Sequence, residues 1–121
     1  MTATQSPLAP LAIGSMLTGL VYMGRHVSGA HYNPAITLAI FFRGKLAPSE
    51  VTPYVLSQVL GALLASATVY LFTGSIFAPV PAEGYGVLAV LLVEVLFTFA
   101  LALVILNVAT VDSVSDNSYY G

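Results

Sequence analysis

The sequence predicts an all-α membrane protein, with three transmembrane helices and one re-entrant half-helix. Three observations carry that prediction. Hydrophobic residues make up 58% of the 121 residues and mean hydropathy is +0.93. Charged residues make up only 7%, against the about 25% with which a soluble domain covers its surface. The apolar residues fall into long runs separated by short polar stretches, and one of them, Pro34 to Phe42, has sharply marked helix ends yet is too short to span a bilayer.

Residues 1–7 form a tail with no positive charge, so they lack the n-region of a secretory signal, and the apolar runs recur far down the chain. That pattern belongs to a membrane-embedded protein, not to one merely exported. Residues 8–26 read as the first crossing, apolar from Leu8 to Gly24 and slightly short of the ~20 residues that a ~30 Å hydrocarbon core requires. Gly14, Ser15, Thr18 and Gly19 stand at helical spacing there and favour a close helix–helix contact. Residues 27–44 read as the re-entrant segment: a polar, turn-rich stretch to Asn33, then Pro34–Phe42, then Arg43-Gly44-Lys45.

Residues 52–73 read as the second crossing, with Gly61 and Ala65 as a small-xxx-small pair. Residues 74–85 are a loop carrying Pro79, Pro81, Glu83 and Gly84. Residues 86–110 read as the third crossing, interrupted by the single acid Glu94, and residues 111–121 are polar and read as a connection. Arg25, Arg43 and Lys45 are the chain's only cations, and all lie between the first and second crossings. Excess positive charge stays in the cytoplasm, which predicts the N-terminus outside and the C-terminus cytoplasmic.

The ends of the short run are specified by residue type. Asn33 is a preferred N-cap, Pro34 suits the first helical position, and Gly44 suits the position past the C-terminus. Nine residues give a helix of roughly 14 Å, about half the hydrocarbon core. Non-helical backbone at that depth is tolerated only where protein buries it or where it lines a water-filled cavity. A cavity of this kind has readable chemistry. With the Asn33 side-chain oxygen spent on the cap, its NH₂ is left as a pure donor beside the positive end of the half-helix. That favours the oxygen of a neutral solute and opposes cations. Extended backbone at Gly29, Ala30, His31 and Tyr32 would offer carbonyl acceptors along the path.

Other functions find less support. The net charge is −2 with no basic cluster, so nucleic acid is not an expected partner. There is no Cys, no Ser/His/Asp set, no cluster of metal ligands and no nucleotide loop, so no enzyme, metal or cofactor is expected. Glu94 is an intramembrane acid without partners for a proton relay, and a structural role is the favoured reading. His31 is read as a side chain held in the loop fold, His26 as solvated or interfacial, and Gln58 as interhelical glue. Arg43 and Lys45 could touch anionic lipid, although two cations at a helix end are ordinary capping.

At the stretch Ser28-Gly29-Ala30-His31-Tyr32-Asn33-Pro34-Ala35, continuing Ile36-Thr37-Leu38-Ala39, the chain resembles the aquaporin and glycerol-facilitator family, the major intrinsic proteins. Ser57-Gln58-Val59-Leu60-Gly61-Ala62 on the next helix strengthens the likeness. The resemblance covers nearly the whole chain, from the family's second membrane helix to its fourth. It implies that Asn33 donates to the permeant molecule, with Pro34 and Ala35 supporting the box. It also implies that the carbonyls of Gly29, Ala30, His31 and Tyr32 line the cytoplasmic half of the path. Ile13 falls at the outer-filter position, where the family often has an aromatic or His, and Glu94 matches the buried acid that braces re-entrant backbone. The family has six crossings and two Asn-Pro-Ala boxes, against three crossings and one box here, and the last residues resemble the start of its fifth helix. The expected function is therefore a fragment or half-channel for water or small neutral solutes such as glycerol. It would sit in the plasma membrane, in contact with lipid and assembled as a tetramer by family habit. The alternative is a truncated, non-conducting chain that only packs with full-length channel subunits.

Overall fold

The computed structural model of the chain describes residues 6–76, 84–114 and 116–119. It contains four α-helices, α1 (Ala9–Ser28), α2 (Pro34–Phe42), α3 (Pro48–Thr73) and α4 (Val87–Ala109), followed by a 3-10 turn at Asp112–Val114. No strand occurs among the described residues. α3 and α4 are long and apolar enough to cross a membrane. α1 has 20 residues, about 30 Å of helix, but its apolar run is broken by Gly14, Ser15, Thr18 and Gly19 and ends in Arg25 and His26. It does not reach the apolarity of the other two.

Two helices run further than the hydropathy pattern indicates. α1 continues past residue 26 to Ser28, because Arg25 and His26 sit in its last turn, where the negative end of the helix dipole accommodates positive charge. It stops at Gly29, whose left-handed backbone (φ 80°) returns its N–H to the Arg25 carbonyl at 2.8 Å. α3 begins at Pro48, four residues before the expected start at residue 52. Pro48 occupies the first turn, and the Glu50 carboxylate accepts from the Ala47 N–H at 3.0 Å. Pro53 then lies inside the helix. Its missing N–H would have served Ser49, which is exposed and can bond water instead. α2 runs over Pro34–Phe42 and α4 over Val87–Ala109. Of the expected loop 74–85, positions 77–83, which include Pro79, Pro81 and Glu83, lie outside the described residues.

α2 is the hub of the molecule, packing against both α3 and α4. Its buried residues are Ile36, Thr37 and Ile40, with Thr37 fully buried. Gly24 of α1, Ala30 and Thr110 complete the buried set among the described residues. The chain reverses after Ser28. The Tyr32 hydroxyl donates to the Leu20 carbonyl at 2.9 Å and lies against Gly24, so the loop folds back along the last turns of α1. α2 then returns towards the end it left. On that end Lys45 Nζ donates to Asp112 Oδ1 at 2.8 Å, tying the exit of α2 to the exit of α4. Lys45, helped by Arg43, holds the Asp112 carboxyl below its usual range.

Candidate site on the re-entrant loop

The site is built on five residues between α1 and α2. Gly29 and Ala30 both have left-handed backbone, with φ of 80° and 57°. For Ala30 this conformation costs roughly 1–2 kcal/mol. It is held there by burial and by its N–H donating to the Ser28 Oγ at 3.4 Å. The two left-handed residues turn the chain sharply, and the next side chains go in opposite directions.

The His31 ring goes towards α3 and stacks on Tyr54 with centroids 4.9 Å apart and planes inclined by 22°. It lies across Gly29, where an added Cβ would meet its Nε2 at 2.9 Å. The His31 carbonyl accepts from Gln58 Nε2 of α3. Tyr32 goes towards α1, and its hydroxyl occupies the space that a Cβ on Gly24 would need, 2.0 Å from that position. Gly24 is therefore required by a close approach, not by backbone freedom.

Asn33 is extended (φ −142°, ψ 128°), and its Oδ1 accepts from the Ala35 N–H at 2.8 Å. Pro34 fills the first helical position, where no N–H is needed. The Thr37 N–H closes the first turn on the Asn33 carbonyl at 3.1 Å. The Asn33 amide nitrogen makes no hydrogen bond among the described residues, and Asn33 is among the residues lining a cavity of about 310 Å³. α1 contributes Leu17, Thr18, Val21 and Arg25 to the cavity wall, and the loop contributes Gly29, Ala30, Tyr32 and Asn33. α4 adds Leu101, Val104, Ile105 and Val108. Most of this wall is apolar, with polar side chains at Thr18 and Arg25 of α1 and at Tyr32 and Asn33 of the loop.

Gln58, which reaches the loop, lies ten residues past Pro48, or ~15 Å along the axis of α3.

Four of the sequence-derived residues, Gly29, Ala30, Tyr32 and Asn33, come together on the cavity. Pro34 and Ala35 build the cap beneath it. His31 stands on the α3 side of the loop. Ile13 does not border the cavity; it is 67% exposed, one turn before Leu17 on the same face of α1. Glu94 is exposed and makes no hydrogen bond among the described residues, so it does not brace the loop of this chain. It lies seven residues before Leu101, on the cavity-facing stripe of α4 but ~10 Å further along.

Sequence reasoning missed Thr37 and Gly24. A lone hydroxyl one turn after the N-cap of an otherwise apolar half-helix was the available signal for Thr37. Nothing local marks Gly24, whose partner Tyr32 is set by the reversal of the chain. The tail is a further surprise. Tyr22 Oη donates to the Ser118 carbonyl at 2.9 Å, and Tyr119 reaches the cavity wall. No group of three or more potential metal ligands occurs among the described residues.

Comparison with known proteins agrees with this geometry. The sequence model of the family described as Major intrinsic protein matches residues 2–118. Aquaporin NIP1-4 of Oryza sativa subsp. japonica is 38% identical over 112 residues, 91% of this chain and 41% of that protein. Aquaporin NIP1-1 of Zea mays is 39% identical over 107 residues, 86% of this chain and 38% of that protein. Aquaporin Z of Photorhabdus laumondii subsp. laumondii is 42% identical over 60 residues, 50% of this chain and 26% of that protein. The chain thus spans about two fifths or less of the length of these relatives. No solved structure gives a significant match. With the Asn-capped half-helix in place and the family model covering nearly its whole length, the chain belongs to the major intrinsic protein family.

Proposed function

We propose that this chain forms one wall of a passive channel for water or small neutral solutes such as glycerol. The observation that carries the reading is Asn33, capped through its oxygen and lining a mostly apolar cavity, which leaves its NH₂ free to serve that cavity. A fixed donor beside the positive end of α2 attracts a solute oxygen and repels cations, which is selection for uncharged polar molecules.

α1, α3 and α4 each cross the bilayer in this reading, and α2 re-enters from the Lys45 side. Arg25, Arg43 and Lys45 assign that side to the cytoplasm, with the N-terminus outside, the C-terminus cytoplasmic and the plasma membrane as the location. The carbonyls of Gly29, Ala30 and Tyr32 supply acceptors along the path. Ile13, one turn beyond the cavity, widens or greases the outer filter. Glu94 accepts hydrogen bonds from re-entrant backbone that the loop of this chain does not supply. A homo-oligomer, a tetramer by family habit, is the expected assembly.

The three cations favour a single orientation, so a second copy does not supply the inverted half and the chain alone is expected not to conduct. Stopped-flow osmotic shrinkage of liposomes containing the inserted chain tests this, with Asn33→Asp as control. Shrinkage at the rate of empty liposomes leaves the chain as a wall that needs further protein to close the path. Fast shrinkage with a low activation energy, lost in Asn33→Asp, means that copies of the chain close a pore by themselves.

A further inference from the structure

Gln58 lies outside the cavity wall, yet it touches both parts of the machinery that presents Asn33. Its Nε2 donates to the His31 carbonyl, two residues before Asn33, and to the Thr37 Oγ1 at 2.9 Å, one turn after it. Thr37 is fully buried, and its own hydroxyl donates back to the Asn33 carbonyl at 3.3 Å. A carboxamide nitrogen carries two hydrogens, and both are committed here. With acceptors on both sides, the orientation of the amide is fixed: the oxygen cannot take the nitrogen's place. That leaves Gln58 Oε1 buried and without a protein partner, as is the neighbouring His31 Nδ1. Buried unsatisfied atoms are costly. They sit beside the loop and not in an ordinary helix contact.

The geometry points to Gln58 as a positioning residue for Asn33. The bracket clamps the loop and the first turn of α2 to one point at mid-α3. It thereby fixes the angle at which the Asn33 NH₂ meets the cavity. The role rests on the reading of Asn33 as the solute donor, but its test does not depend on conduction. A failure of the bracket is therefore distinguishable from a failure of the channel reading.

The experiment is NMR on the full chain in detergent micelles, following the Asn33 side-chain NH₂ resonances and amide exchange along α2. Gln58→Met keeps the length and apolar volume of the side chain but removes both donors. Ile40→Ala is the comparator, because it loosens α2 packing without touching the bracket. Gln58→Met is expected to shift the Asn33 NH₂ signals and to speed exchange of the Ala35 N–H by roughly tenfold or more, the consequence of losing both hydrogen bonds of the bracket. The Arg43 N–H at the other end of α2 should keep its rate. Thr37→Val, which removes one arm of the bracket, should give a smaller change of the same pattern. It also decides the case if Gln58→Met does not fold. Unchanged Asn33 and Ala35 signals would overturn the proposal. So would uniformly faster exchange along α2, indistinguishable from Ile40→Ala.

Discussion

The two ends of the helix bundle differ in how much of their surface the chain itself covers. At the end carrying Ser28, Phe42 and Asp112, α2 packs against α3 and α4, and every buried residue among those described lies within reach of this packing. At the end carrying Ala9, Thr73 and Val87, large apolar side chains such as Leu71 (81%), Phe72 (87%) and Leu88 (81%) are exposed. The first end also carries all three cations, Arg25, Arg43 and Lys45, and α2 fills that half only. Specific structure in this chain is set where polar backbone must be buried. Elsewhere apolarity alone suffices, because lipid tails are as good a surrounding as leucine.

Four experiments can break or sharpen that contrast. The largest effect concerns sidedness and exploits the absence of cysteine. In intact proteoliposomes, Gly44→Cys and Ser113→Cys should react with an impermeant thiol reagent from the same side, and Ser75→Cys only from the other. Mixed labelling of all three would dissolve the two-ended description.

A Gly24→Val variant should lose about 2–3 kcal/mol in thermal unfolding in detergent, since its Cβ enters the space held by the Tyr32 hydroxyl. An unchanged melting temperature would mean that the loop does not fold back along α1.

Next come paired truncations. Ile40→Ala removes a side chain that is 4% exposed, and in a bilayer it forfeits packing more than transfer from water, roughly 1–2 kcal/mol. Phe72→Ala at the open end should stay within about 0.5 kcal/mol. Equal losses would show that something covers Phe72.

The smallest effect is electrostatic. Lys45 depresses the Asp112 carboxyl below its ordinary 3.8. A depressed carboxyl contributes stability that is present above the ordinary value and lost as pH falls through the lowered one. Any weakening of this tie is therefore confined to below about pH 4. Both groups are exposed, so the energetic share is minor and salt-sensitive. An NMR titration of Asp112 should move back to the ordinary value in Lys45→Met.

Much of the fold was legible in the sequence because the bilayer imposes simple rules. Length and apolarity mark α3 and α4 as helices able to cross a membrane, and α2 announces itself through Asn33, Pro34 and Gly44, whose conformational preferences are local. Helix ends were less legible. The second crossing reads as starting at residue 52, yet α3 begins at Pro48 and holds Pro53 inside it, because the exposed end of a helix tolerates a missing hydrogen bond. The loop stood out in the sequence because a short, sharply capped apolar helix needs its preceding polar backbone to be accommodated, and the structure sets Gly29, Ala30, Tyr32 and Asn33 against the cavity.

The tertiary structure alone decided which way each side chain leaves the loop. His31 turns to Tyr54 and Tyr32 to Leu20, contacts set by two consecutive left-handed residues that no periodicity encodes. It alone paired Gln58 with Thr37 and Gly24 with Tyr32, and it left Glu94 away from the loop. Local chemistry sets what a residue can bond. Which partner stands within 3 Å depends on where the chain reverses, and that is fixed only when the helices pack.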